Sequence, residues 1–561
     1  MVDYQLVEEW INDDPDTTTQ EELRSLVAAA KAGDAAAEAD LADRFNGTLT
    51  FGTAGLRGEL GAGPNRMNRA VVIRAAAGLV SYLRKTVGDD FHLVVGHDAR
   101  YGSKQFAQDT AAIAVAAGGR ASLFNRELPT PVTAFALRHL NADAAVVVTA
   151  SHNPPRDNGY KVYLGGRAVS DSGQGAQIVP PADKEIFAEI KAVPSVASVA
   201  RAESGWEILG DELVNAYLER VTSLVSLEAK DLRIVLTSMH GVGGETCLRA
   251  LNLAGFNDVH VVAEQHDPDP DFPTVTFPNP EEPGALDLSY KLASEVDADI
   301  ILANDPDADR CSAAIRDASS ATGWRQLTGD EVGSLLGEQT AAMHTGDKSA
   351  VLANSIVSSQ LLEQIAAHHG VSYRATLTGF KWISRVEGLV FGYEEALGYC
   401  VDPQFVRDKD GISACLRLAT MAAQRKAAGS SLQDALDDLA RRHGLYATAP
   451  LSIRVADLSL IKQGMANLRA GSVTSLAGEP VSSVVDLAEG SEQLPPTDGL
   501  VFRTAAGDRV IARPSGTEPK LKCYLETVIP VPEGADMREI RAAAAARLDL
   551  IKADMAAALG I

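Results

Sequence analysis

A serine, an imidazole and two prolines stand together in Thr149-Ala150-Ser151-His152-Asn153-Pro154-Pro155, directly after the apolar run AAVVVT. Ser151 would be presented on the turn that leaves a buried strand. The prolines stiffen that turn, Asn158-Gly159 supplies a second one, and Lys161 brings a cation to the same neighbourhood. A serine hydrolase would need a G-x-S-x-G elbow, which these residues do not form. A strand-end turn with a capping serine would use the same residue types.

Asn304-Asp305-Pro306-Asp307-Ala308-Asp309-Arg310 follows a second apolar run, ADIIL. Three carboxylates at alternate positions of one tight loop repel each other unless water or a cation separates them. An all-oxygen set suits Mg²⁺ and leaves room for a phosphoryl oxygen. The run resembles a calcium loop only at its start. Arg310 stands where that loop needs glycine, and Arg316 where it needs glutamate. A solvated acidic turn is the alternative.

Two further loops complete a chemical set. Arg513-Pro514-Ser515-Gly516-Thr517-Glu518-Pro519-Lys520 follows RVIA and has the composition of a phosphate cradle. A guanidinium forks two oxygens, hydroxyls donate, and a glycine lets backbone N–H groups approach. Gly392-Tyr393-Glu394-Glu395-Ala396 offers paired carboxylates that suit sugar hydroxyls or plain surface charge. Phe51-Gly52-Thr53-Ala54-Gly55-Leu56-Arg57-Gly58 ends in a cation, and Thr378-Gly379-Phe380-Lys381 sets one after a small turn.

Elements that could position these loops are legible in the hydrophobic pattern. Short β-branched runs at 92–96, 144–149, 233–236, 298–302 and 389–392 alternate with Ala/Leu-rich helical stretches such as 74–83 and 107–117. That alternation predicts α/β domains with parallel or mixed sheets buried on both faces. Polar motifs just past the strand ends are where open α/β sheets place ligands. Small polar stretches at 194–205, 316–323 and 441–450 divide the chain into 1–205, 206–322, 323–447 and 448–561. Four pieces with converging polar loops suggest a cleft between domains.

Bulk properties narrow the function classes. The chain has 561 residues, 46% of them hydrophobic, and a net charge of −24. At about 150 residues per domain it holds several cores. The acidic balance argues against nucleic acid or an anionic membrane as partner, but not against small anions met by a local basic pocket. Five scattered cysteines without a C-x-x-C predict neither a disulfide framework nor a zinc site. The start MVDYQLVEEWINDD has no signal-peptide pattern, and no run reaches the ~18 apolar residues of a membrane span. A cytoplasmic protein is expected.

Taken together and in this order, TASHNP, DPDADR and RPSGTEPK resemble the motifs of the α-D-phosphohexomutase superfamily, over about residues 51–526. The resemblance implies four domains around a central cleft, three of mixed α/β fold and a smaller C-terminal α+β unit. It implies Ser151 as phosphoserine, and Ser151 with Asp305, Asp307 and Asp309 as the Mg²⁺ site. Arg57, His152 and Lys161 would surround the reacting phosphoryl group, with Lys161 the better candidate for acid/base work, and Arg310, directly after the metal ligands, would bind substrate. Thr378, Gly379, Lys381 and Glu394 fall in the sugar-recognition loops, and Arg513, Ser515, Gly516 and Thr517 in the phosphate clamp.

The family's sugar loop usually reads G-E-x-S. Here Tyr393 replaces the glycine and Ala396 the serine, as in a longer subgroup that includes phosphopentomutases. Lys381 stands where bifunctional phosphomannomutase/phosphoglucomutases tend to have His, which disfavours mannose.

The expected activity is interconversion of glucose 1-phosphate and glucose 6-phosphate through a sugar bisphosphate, with a glucose 1,6-bisphosphate-type activator. Phosphopentomutase and phosphomannomutase activities are the alternatives, and a non-catalytic sugar-phosphate-binding protein is the rival from another class. A phosphatase with Asp305 as nucleophile would need a residue other than Asp309 at its motif's last place. The resemblance further implies small sugar phosphates as partners and a monomer or homodimer.

Overall fold

The computed structural model describes residues 2–52, 55–225, 228–454, 458–491, 494–514 and 520–560. They form two compact units, 1–326 with 398–424, and 327–397 with 425–561.

The first unit contains two sheets. One runs in the order Leu56–Glu59, Asp157–Leu164, Ala144–Val148, His92–His97, Arg120–Phe124, Glu207–Leu209, with Ala176–Gln177 paired to Asp157–Leu164. Its central strands are parallel, whereas Asp157–Leu164 pairs antiparallel on both sides. Ala144–Val148 and His92–His97 are buried along their whole length, because helices Arg69–Thr86, Ser103–Ala116 and Thr130–His139 pack on this sheet. The expected helices at 74–83 and 107–117 therefore exist and extend further toward their N-termini. The second sheet runs Trp324–Gln326, Ser312–Arg316, Ile300–Ala303, Ile234–Thr237, Val259–Val261. Arg316 pairs with Trp324, which makes 317–323 a hairpin tip.

Three helices precede these sheets: Tyr4–Asp13, Thr17–Lys31 and Ala35–Arg44. Asp3, Asp16 and Asp34 cap them by accepting from first-turn backbone N–H groups. Val7, Ile11, Leu23 and Leu41 form their small core. Arg44 ties the second and third of these helices together by bonding Glu22 on Thr17–Lys31, and it also bonds Asp40 on its own helix.

In the second unit, Ser372–Thr376, Val351–Ser355 and Leu389–Glu394 run parallel. Helix Gly329–Met343 starts in a capping box, Thr328 with Glu331. An antiparallel sheet follows in the order Leu445–Arg454, Lys520–Ile529, Arg509–Pro514, Leu500–Thr504, Glu479–Asp486, Ser475–Leu476. Helices Leu458–Arg469 and Met537–Leu559 pack on it to give an α+β domain. Among the described residues, no helix is long and apolar enough to cross a membrane. All five cysteines are buried free thiols.

Candidate active site

Ser151 lies in the turn after strand Ala144–Val148, and the DPDADR loop follows strand Ile300–Ala303. The fold brings the two together in the first unit. Ser151 Oγ donates to Asp305 Oδ2 at 2.8 Å and stands 3.2 Å from His152 Nδ1. The Ser151 backbone is left-handed, with φ 51°, and its N–H donates to Thr149 Oγ1 at 2.9 Å. Ala308 turns the acidic loop in the same region of φ, at 54°. That tight turn aims the three aspartates at one place.

Asp305, Asp307 and Asp309 are fully buried, and each offers an oxygen within 4.8 Å of the others. Asp307 Oδ2 accepts from Thr130 Oγ1 at 2.6 Å and from Lys161 Nζ at 2.7 Å. Asp309 Oδ2 accepts from Lys161 at 2.9 Å and pairs with Lys409 Nζ at 2.8 Å. Asp307 Oδ1 and Asp309 Oδ1 have no hydrogen-bond partner. Buried, unpartnered carboxylate oxygens are costly, and a set of three carboxylates with free lone pairs fits a hard divalent cation. The triad can thus hold a metal ion.

The electrostatics divide the triad. Burial, with Asp307 and Asp309 beside it, pushes the Asp305 carboxyl far above the usual carboxylate range. Burial works the same way on Asp309, but Lys161 and Lys409 outweigh it and hold that carboxyl down. Lys161 also helps hold Asp307 down against burial and Asp309. In return, the carboxylates raise Lys161 above its ordinary value although burial opposes this. Lys161 is therefore an ammonium in this arrangement, able to give a proton rather than take one. His152 is the opposite case. Burial, then Arg310 and Arg57, pushes it well below its ordinary value and leaves a neutral imidazole.

The remaining expected residues of this unit surround the pair of loops. Arg57 sits on strand Leu56–Glu59, opposite Gly159, and donates to Asn153 Oδ1 at 3.2 Å. Burial pushes its guanidinium down. Arg310 lies 3.5 Å from His152 Nε2, and its backbone N–H donates to Asp305 Oδ1 at 3.0 Å. The sequence did not point to Lys409 or Thr130. Lys409 belongs to Asp408-Lys409-Asp410-Gly411, which has no strand before it to mark it. The available signal was a lysine between two aspartates ahead of a helix. Gly411 is required there, because a Cβ would meet Arg310 O at 2.1 Å.

In the second unit, Glu394 Oε1 accepts from Gly379 N at 2.7 Å, so the glutamate loop and the Thr378-Gly379-Phe380-Lys381 turn meet. Gly379 has φ 113° and precedes helix Phe380–Ile383. The two adjacent glutamates are used differently. Glu395 Oε2 accepts from Ser355 Oγ at 3.0 Å and Ser358 Oγ at 2.8 Å, contacts the sequence did not foretell. Tyr393, in place of the usual glycine, is buried with its OH donating to Asp330 Oδ1 at 2.9 Å. Its ring fills the space that a side chain at Gly333 would need. Arg513 lies near the end of strand Arg509–Pro514. Ser515, Gly516 and Thr517 lie outside the described residues.

The chain matches the four domain models of phosphoglucomutase/phosphomannomutase. The α/β/α domain I covers residues 48–196, domain II 215–318, domain III 328–443 and the C-terminal domain 454–547. It is 46% identical over 472 residues to a probable phosphomannomutase of Haemophilus influenzae, covering 84% of this chain and 95% of the relative. It is 35% identical to the phosphoribomutase of Saccharomyces cerevisiae, with 92% and 91% covered. It is 34% identical to a phosphoglucomutase of Staphylococcus epidermidis, with 86% and 91% covered. With all four domains matched in order and relatives of this identity along most of its length, the chain belongs to the phosphoglucomutase/phosphomannomutase family of phosphosugar mutases.

Proposed function

We propose that this mutase interconverts glucose 1-phosphate and glucose 6-phosphate through phospho-Ser151. The observation that carries the proposal is Ser151 Oγ bonded to Asp305 inside a buried triad of aspartates. In the first transfer, the P–O bond to Ser151 breaks and a new one forms to the free sugar hydroxyl, giving a bisphosphate. In the second, the other phosphoryl group returns to Ser151 Oγ. We assign the proton relay to Lys161: its ammonium gives a proton to the oxygen that leaves, and the proton of the attacking hydroxyl then recharges it. Phosphoryl transfer is mostly positioning and charge neutralisation. Arg57, Arg310 and neutral His152 serve these needs around the loop. Mg²⁺, held by Asp305, Asp307 and Asp309 with an oxygen on Ser151, would neutralise charge on the transferring oxygens.

Glu394, Thr378, Gly379 and Lys381 are assigned to the sugar, and Arg513, Ser515, Gly516 and Thr517 to the non-reacting phosphate. These duties follow the four pieces: phosphoserine in 1–205, metal loop in 206–322, sugar loop in 323–447, phosphate loop in 448–561. A glucose 1,6-bisphosphate-type activator would prime Ser151. We further propose a cytoplasmic monomer or homodimer.

A pentose phosphate is the second reading, favoured by Ala396 and by the similarity to a phosphoribomutase. Mannose is favoured by the similarity to a probable phosphomannomutase and disfavoured by Lys381. A coupled assay on glucose 1-phosphate, mannose 1-phosphate and ribose 1-phosphate, each primed with its bisphosphate, tests all three. The highest kcat/KM on glucose 1-phosphate is the expected outcome. No turnover of any of the three, with tight binding of one, would favour a non-catalytic binding protein instead.

A further inference from the structure

Arg100 lies outside every motif with chemistry in it, yet its side chain is 1% exposed and devoted to the serine loop. It follows strand His92–His97 in the turn His97-Asp98-Ala99-Arg100. One terminal nitrogen, Nη2, donates to Ser151 O at 2.6 Å and Asn153 O at 2.7 Å. The other, Nη1, donates to Pro154 O at 2.7 Å and Asp157 O at 3.0 Å. Four carbonyls of one turn thus point at a single planar fork, a geometry that an ammonium on a flexible stem cannot reproduce.

The fork is itself fixed. Asp98 lies 3.4 Å from Arg100 Nε and accepts from the Arg100 backbone N–H at 3.0 Å. Asp98 Oδ1 also accepts from Ser103 Oγ at 2.6 Å, and the Phe272 ring lies 5.0 Å beneath the guanidinium. Burial pulls Arg100 below its ordinary value, although Asp98, Asp307, Asp157 and Asp305 oppose this.

The carbonyl gripped most closely belongs to Ser151, whose φ of 51° is a conformation that L-residues adopt rarely and at a cost. Surrounding structure must hold it there. We propose that Arg100 is a positioning residue for phosphoryl transfer: it clamps the turn from Ser151 to Asp157 so that Ser151 Oγ faces the aspartate loop. This rests on Ser151 being the phosphoryl carrier. It predicts an effect on the transfer step rather than on substrate binding, because Arg100 bonds the loop that bears the carrier and none of the residues assigned to the sugar.

The test compares Arg100→Lys, Arg100→Gln and, as a stability control, Arg44→Lys. Arg44 is a buried arginine of the N-terminal helices with comparable bonding, to Glu22, Asp40 and Ala62 O. Two readouts are taken per folded molecule: kcat and KM on the preferred sugar phosphate, and the rate at which glucose 1,6-bisphosphate phosphorylates Ser151, followed by intact mass. Both Arg100 variants should lose about 100-fold in kcat and in phosphorylation rate, with KM within about threefold, as for a reacting group displaced by roughly 1 Å. Arg44→Lys should lower Tm and leave both rates unchanged.

Rates within about threefold of wild type in Arg100→Lys, or a loss that merely tracks the unfolded fraction as in Arg44→Lys, overturn the proposal. If neither Arg100 variant folds, Asp98→Asn replaces them, with a smaller loss in the same two rates expected and unchanged rates decisive against. A wild-type protein that neither turns over sugar phosphates nor takes phosphate on Ser151 would instead refute the function from which this inference starts.

Discussion

A hydroxyl that donates to a buried carboxylate at 2.8 Å is oriented before any substrate arrives. Ser151→Ala should therefore remove turnover, with kcat down by at least about 10⁴-fold, since the variant lacks the hydroxyl that carries the phosphoryl group in the proposed route. Its far-UV circular dichroism should match wild type, and activity near normal would exclude the covalent route. Asp307→Asn keeps the shape but weakens two contacts, to Lys161 and to any bound cation. It should slow catalysis by about 100-fold or more and raise the Mg²⁺ concentration for half-maximal activity, checked by titrating Mg²⁺ into chelator-stripped enzyme. Activity that survives in excess chelator would remove the metal assignment. Residues of this kind were legible because each motif is contiguous and follows a buried strand. Lys409 and Arg100 were not. Each acts through a contact with residues distant in sequence, 100 positions away for Lys409 and Asp309, and nothing local marks such a contact.

At the scale of elements, the strand Leu389–Glu394 and the residue after it supply two glutamates with separate duties, Glu394 holding the Gly379 turn and Glu395 held by Ser355 and Ser358. Ala396 follows them and has no hydroxyl to add. A hydrogen bond to a neutral hydroxyl contributes roughly 0.5–1.5 kcal/mol, or about two- to twelvefold in specificity. Ala396→Ser should raise the glucose-to-ribose ratio of kcat/KM within that range. A ratio that stays put, or moves toward ribose, would show that this position does not set the choice. Strands were readable where a buried apolar run stood out, as at 92–96, 144–149 and 298–302, whereas the shorter runs of Ser312–Arg316 and Leu500–Thr504 went unassigned although they are mostly buried. The three N-terminal helices went unassigned, although an aspartate precedes each of them as a cap. Their core is small, and its residues recur at helical spacing rather than as the continuous apolar runs that marked the other elements.

For the molecule as a whole, stability should carry the mark of Asp330. Burial, with Glu395 and Glu526 adding to it, raises this carboxyl from 3.8 to about 7, although the Ser359 N–H and Thr448 oppose the shift. Tyr393 OH also bonds it. A raised folded-state value favours the protonated form. The contribution is complete below about pH 4 and is lost as pH rises toward 7, by on the order of a few kcal/mol. Asp330→Asn keeps the acceptor without the charge. The amount by which its Tm exceeds wild type should shrink from pH 8 to pH 5, and equal differences at both values would refute the linkage. Sequence boundaries also failed to show that 398–424, within the stretch matched to domain III, packs with the first unit. That segment brings Lys409 to Asp309 and the Gly411 N–H to Ala308 O. The polypeptide consequently passes from one unit to the other three times, after 326, 397 and 424. The architecture is woven rather than beaded: no single cut yields two self-sufficient halves, and a fragment ending at 326 would carry every aspartate of the triad without one of its two lysine counter-charges. Recombination between relatives should respect that weave, with exchanges that split 398–424 from the first unit yielding inactive chimeras even where every motif survives.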